Sequence, residues 1–130
     1  MKTIGIVGSR RRVSSADTTA IKAAFKKVYE DGDHIVSGGC RTGGDAVAES
    51  IARFNEVPIK IHYARWKKRG KAAGFIRNGD IAEDADVLIA CVAADRTGGT
   101  EDTIEKFLKS MGKTKAHEAD AIEQGCLILV

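Results

Sequence analysis

Short apolar runs alternate with segments of helical periodicity from one end of the chain to the other. Residues 3–7 form a run suited to a buried strand. Ser14, Ser15 and Asp17 then offer helix caps, and Ile21, Ala24, Phe25 and Val28 recur at the spacing of one helix face. Asp31-Gly32-Asp33 ends that helix, and residues 34–37 read as a second strand closed by Gly38-Gly39. Asp45 opens the next helix, with Val47, Ile51 and Phe54 on one face. Residues 57–63, which hold the only proline at Pro58, read as a third strand. A basic connection over residues 64–71 leads into a helix over about residues 74–83. Residues 86–92 make the strongest strand of the chain. The turn at residues 95–100 then opens a helix whose Ile104, Phe107, Leu108 and Met111 face the core. Residues 113–124 fit a helix or an irregular segment, and residues 126–130 form a last strand.

Strands separated by helices require a parallel sheet with right-handed crossovers and helices on both faces. The predicted fold is therefore α/β: one Rossmann-like, three-layer α/β/α domain over residues 1–130, with a parallel five-stranded sheet in the order 3-2-1-4-5. Ligands of such sheets bind outside the carboxyl ends of the strands, where the strand order reverses. Three glycine-bearing turns fall there: Gly8-Ser9-Arg10, the stretch from Ser37 to Asp45, and Arg96-Thr97-Gly98-Gly99-Thr100. Glycine lets backbone N–H groups approach a ligand closely, and the helix start beyond it adds open donors and a positive dipole end. One crevice for a phosphate-bearing small molecule is the expectation.

Bulk composition narrows the classes. A hydrophobic fraction of 43% and a charged fraction of 30% describe an ordinary globular chain of 130 residues. The net charge of +3 suits an anionic ligand but is too small to imply nucleic acid. Cys40, Cys91 and Cys126 form no CxxC and have no histidine at ligand spacing, so no metal is expected and no cofactor is assigned. Cys91 and Cys126 read as core thiols, while Cys40 reads as a space-filling residue or a reactive one. The first residues lack signal-peptide anatomy and no apolar run reaches membrane-spanning length. A cytoplasmic protein with no membrane partner is expected.

The turns carry specific chemistry. Arg10 offers the bidentate grip on phosphate or carboxylate that lysine lacks. The second turn, with Ser37, Gly38, Gly39, Arg41, Gly44 and Asp45, matches neither the GxGxxG pattern nor a P-loop. Asp45 could cap its own helix, accept hydrogen bonds from ribose hydroxyls, or do both. Gly98, Gly99 and Thr100 supply donors at a helix start, with Thr100 as a further hydroxyl or cap. Glu101, Asp102 and Glu105 complement that helix dipole in the plainer reading. In the sharper one, Glu101 or Asp102 acts as an acid/base or stabilises a cationic sugar centre. Lys71, Gly74, Arg77 and Asn78 add cations and an amide at the same sheet edge, beside Trp66. Trp66 is expected to cover the sheet, with a stacking surface as the alternative.

On these residues the chain resembles the SLOG superfamily. That group includes the LOG phosphoribohydrolases (formerly called lysine decarboxylases), molybdenum-cofactor carrier proteins and DprA. The YspA-like branch is the most similar: Gly8-Ser9-Arg10, Ser37-Gly38-Gly39-Cys40-Arg41 with Asp45, Trp66 with Gly70-Lys71-Ala72-Ala73-Gly74 and Arg77-Asn78, and Gly98-Gly99-Thr100 match its turns. The resemblance runs to about Phe107 and implies nucleotide-type binding and homo-oligomers, dimers or larger. Two departures stand out. The second turn is longer by a residue at Thr42-Gly43-Gly44, and the position of the LOG catalytic glutamate is Thr103.

Three functions follow as expectations. The first is a sensor or carrier that binds a nucleotide or nucleotide-derived molecule. The second is a nucleoside 5′-monophosphate phosphoribohydrolase, or related N-glycosidase. The third, disfavoured by the low charge and few aromatics, is single-stranded nucleic-acid binding through residues 65–71.

Overall fold

A computed structural model describes residues 1–130. Its five strands are β1 (Thr3–Gly8), β2 (His34–Gly38), β3 (Ile59–His62), β4 (Val87–Cys91) and β5 (Leu127–Leu129). All pair in parallel, in the order β3-β2-β1-β4-β5. The helices are α1 (Ser15–Val28), α2 (Gly44–Asn55), α3 (Trp66–Arg69), α4 (Ala73–Asp84), α5 (Gly99–Ser110) and α6 (Glu118–Glu123). Single 3₁₀ turns precede α4 at Gly70–Ala72 and α6 at Lys115–His117. No helix is long and apolar enough to cross a membrane.

Alternation along the strands builds two cores, one on each face of the sheet. Ile4, Ile6, Ile35, Ile89 and Cys91 pack with Ile21 and Phe25 of α1 and Ile51 of α2. Val7, Val36, Leu88, Ala90 and Leu127 pack on the opposite face with Ile81 of α4 and Ile104, Phe107 and Leu108 of α5. Burying one such side chain is worth about 1.5–3 kcal/mol. These central runs are apolar on both sides because helices cover both faces. The edge strands β3 and β5 are the shortest, with Pro58 just before β3, where no ladder bond is lost.

Local signals explain most boundaries. Ser14 Oγ accepts the Asp17 N–H, and Asp17 Oδ2 accepts the Ser14 N–H, a closed capping box that starts α1. Several expectations are corrected. Phe54 is exposed, because the buried stripe of α2 runs through Gly44, Ala48, Ile51 and Ala52, small residues that seat the helix close to the sheet. Met111 lies past the last turn of α5 and is also exposed. The basic connection is α3 plus a 3₁₀ turn, and Trp66 is 55% exposed rather than laid over the sheet. Cys126 is only partly buried and donates its thiol to the Ala121 carbonyl.

Candidate functional site

The strand order reverses between β1 and β4, which end level at Gly8 and Cys91. The Ser9 N–H still bonds the Cys91 carbonyl at 2.8 Å, so the chain leaves the sheet one residue later. The start of α2 then presses onto β1: a Cβ on Gly44 would lie 2.5 Å from the Gly8 nitrogen. Only glycine permits that approach. Gly43 and Gly98, at φ of 73° and 107°, are the N-caps of α2 and α5, and no side chain caps either helix. Their first N–H groups therefore remain open, with the positive dipole ends behind them.

A cleft of about 380 Å³ opens over this edge. Gly8, Ser9, Arg10 and Asp45 line it on one side, and Gly98, Gly99 and Thr100 on another. Lys71, Gly74, Arg77 and Asn78 close it from α4 and the turn before it. The remaining residues singled out from the sequence lie elsewhere. Ser37 is buried, giving its hydroxyl to Asp45 and to the Ile6 carbonyl. Gly38 leaves room for Arg77 and Asp45, Gly39 for the Tyr63 ring, and Gly44 for β1. Arg41 is exposed outside the cleft, and Glu101 and Asp102 do not line it. Cys40, Trp66, Phe75, Thr97 and Thr103 do. Phe75 has no sequence signal beyond standing one residue past Gly74.

The arginine run after β1 divides its labour. Arg11 forks onto Asp95 with two bonds of 2.9 Å and reaches the Thr97 hydroxyl at 2.8 Å, clamping the loop before α5. That fork and the Thr97 hydroxyl hold the Asp95 carboxyl well below its ordinary range. Arg12 turns the other way, to Asp17 at 2.6 Å and to the carbonyls of Val92 and Val130. Arg10 is exposed on the cleft and bonds no protein group. Lys71 is likewise unpaired there.

Arg77 bonds the protein only through Nε, to Asn78 Oδ1 at 3.1 Å, so its terminal nitrogens are free. Asn78 is fixed in turn by the Gly99 carbonyl and by Asp102 Oδ2 at 3.1 Å, and Lys106 salt-bridges Asp102 at 2.8 Å. Asp45 is 7% exposed and does not cap α2. Burial pushes its carboxyl up, against the Cys40 N–H, the Ser37 hydroxyl and the Arg77 charge that favour the anion. Burial also opposes ionisation of Cys40, but the Thr42 backbone and hydroxyl and the Arg10 charge outweigh it and hold the thiol below its ordinary value.

Glu101 belongs to a separate ion cluster. It accepts two bonds from Arg96, at 2.8 and 2.9 Å, and one from Lys115 at 2.7 Å, while Arg96 also binds Glu118. Burial alone would raise its carboxyl, and these cations bring it below the usual range. No group of three or more His, Cys, Asp or Glu side chains that could hold a metal ion occurs in the chain. Neither a protein-family model nor a curated protein matches this sequence.

Proposed function

We propose that the cleft binds a nucleotide or nucleotide-derived small molecule by its phosphate, and that the protein acts as a sensor or carrier. The observation that carries this reading is a surplus of free cations. Arg10, Lys71 and Arg77 face the cleft without carboxylate partners, beside the uncapped start of α5. Arg11, Arg12 and Arg96 are by contrast neutralised, by Asp95, Asp17 and Glu101 respectively. The single carboxylate lining the cleft, Asp45, is one whose charge burial already disfavours. Exposed Trp66 and Phe75 rings on the same cleft suit a stacked base. The cleft volume also falls in the range of small-molecule sites, about 300–1,000 Å³.

Binding is better supported than hydrolysis. At the position of the LOG catalytic glutamate this chain has Thr103, whose hydroxyl bonds the Gly99 carbonyl at 3.3 Å. Glu101 is engaged by Arg96 and Lys115 outside the cleft. Membership of the SLOG superfamily and self-association are part of the same reading, and rest on the resemblance. Calorimetric titration with the common nucleoside monophosphates, followed by chromatography of each mixture, tests it. Saturable binding with intact nucleotide recovered is expected. Release of free base would establish the hydrolase instead, and no binding to any nucleotide class would end the proposal.

A further inference from the structure

A second cavity of about 220 Å³ adjoins the cleft, and Arg77 is a wall of both. Three guanidiniums line it, those of Arg65, Arg69 and Arg77, with Tyr63, His62 and Asp80. Arg65 and Arg69 are exposed and form no salt bridge or side-chain hydrogen bond, whereas Arg11, Arg12 and Arg96 are clamped by carboxylates. The nearby Asp84 is already bonded to His62 at 2.6 Å and lies 3.6 Å from Lys60. Asp80 alone faces the three cations, and it pairs with none of them. Clustered like charges repel, and a planar guanidinium is best satisfied by the paired oxygens of an oxyanion.

We infer that this second cavity is an oxyanion site for a phosphate-type group, separate from the cleft but joined to it through Arg77. The cavity lies below the size range of drug-sized ligands, about 300–1,000 Å³, which suits a phosphoryl group rather than a nucleoside. Two sources share this chemistry: a second phosphoryl group on the molecule held in the cleft, or an independent anion. In the first case the inference rests on the nucleotide reading above, and in the second it stands without it. Arg77 links the sites, so filling one is expected to change affinity at the other, and the coupling must be reciprocal.

Inorganic phosphate titrated into ¹⁵N-labelled protein tests both sites at once. Amide resonances of residues 61–63, which line only the second cavity, report that cavity, and those of residues 98–100 report the cleft. Wild type is expected to show both sets shifting with saturation. The double variant Arg65→Gln/Arg69→Gln should weaken phosphate at residues 61–63 at least tenfold and leave the shifts at residues 98–100 in place. Arg10→Gln should do the reverse, and dispersed spectra verify that both variants are folded. Shifts confined to residues 98–100 in wild type overturn the second site while leaving the cleft reading intact. Shifts confined to residues 61–63 support the second site and count against the cleft. Silence in both sets overturns both. Competition identifies the source: a nucleoside bisphosphate that clears phosphate from both sets at one equivalent indicates one ligand, and a monophosphate that clears only the cleft indicates two.

Discussion

The Arg77 guanidinium and the Asp45 carboxylate flank the α-carbon of Gly38 at the end of β2. A Cβ added to Gly38 would stand 2.5 Å from Arg77 Nη1 and 2.6 Å from Asp45 Oδ2. The missing side chain thus lets a cation from α4 lie close to a buried anion of α2 over the sheet edge, without a hydrogen bond or salt bridge between them. Arg77 is a flexible side chain and can swing away, whereas Asp45 is held by Ser37 and the Cys40 N–H. Gly38→Ala is therefore expected to displace Arg77 before it unfolds the sheet. The predicted outcome is a loss of ligand affinity of tenfold or more, with a stability cost of about 1–3 kcal/mol, the usual range for overpacking. Calorimetric titration alongside thermal unfolding separates the two effects, and unchanged affinity would contradict the role given to Arg77.

The consecutive arginines after β1 should respond differently to the same change. Arg10→Ala removes a cation that bonds nothing in the protein, so stability should hold. Binding should fall by about ten- to a hundredfold, as for a lost hydrogen bond to a charged group worth about 1.5–3 kcal/mol. Arg12→Ala breaks the bonds to Asp17, Val92 and Val130, so it should lower the melting temperature. Arg11→Ala should loosen the loop before α5 and affect both quantities. Melting curves and titrations of the three variants check this, and equal effects in all three would be inconsistent with it.

Glu101 and Asp102 are neighbours with different surroundings. Glu101→Gln should weaken the ion cluster with Arg96 and Lys115 and leave nucleotide binding unchanged. Asp102→Asn removes the negative charge beside Asn78 and Lys106, so the Asn78 amide loses a charged acceptor and Arg77 its fixed neighbour. A several-fold loss of affinity is expected. A variant pair with these effects reversed would point to Glu101 as the group that meets the ligand.

Acid stability should depend on Asp33. Burial pushes this carboxyl up, but Lys2 Nζ at 2.6 Å and the N–H groups of Lys2 and Glu30 outweigh it and bring it to about 2. The folded value thus lies below that of an unfolded aspartate, about 3.9. The stabilisation is fully present above the unfolded value and disappears as pH falls through the folded one. Melting temperatures should drop between about pH 4 and pH 2, and Asp33→Asn should flatten that drop while lowering the value at pH 7. An equally steep acid limb in the variant would assign the effect to other carboxylates.

The sheet order is readable in the sequence because the apolar runs of β1, β2 and β4 are bounded by glycine turns and separated by segments of helical period. Side-chain assignments depend on partners that sequence distance conceals. Arg12 is tied to Asp17 five residues away, but Arg11 is tied to Asp95 across 84 residues. Nothing in Arg10-Arg11-Arg12 itself identifies the free one. Trp66 departs from its expected place over the sheet because α3, four residues long, has no amphipathic stripe to seat a large ring. Phe54 shows that an aromatic at helical spacing can still fall on the outer flank when small residues such as Ala48 and Ala52 fill the inner one.

The most direct test of the proposed phosphate binding in the cleft is a thermal-shift panel of nucleoside mono-, di- and triphosphates, dinucleotides and cyclic nucleotides. Wild type and Arg77→Ala are run side by side. A ligand at a hundred times its dissociation constant stabilises by about 2.7 kcal/mol. For a domain of this size that is a rise of roughly several degrees. The account predicts such a rise for at least one class in wild type, and none in Arg77→Ala, whose unliganded melting temperature stays close to wild type. A flat wild-type panel, or an equal rise in both proteins, would contradict it.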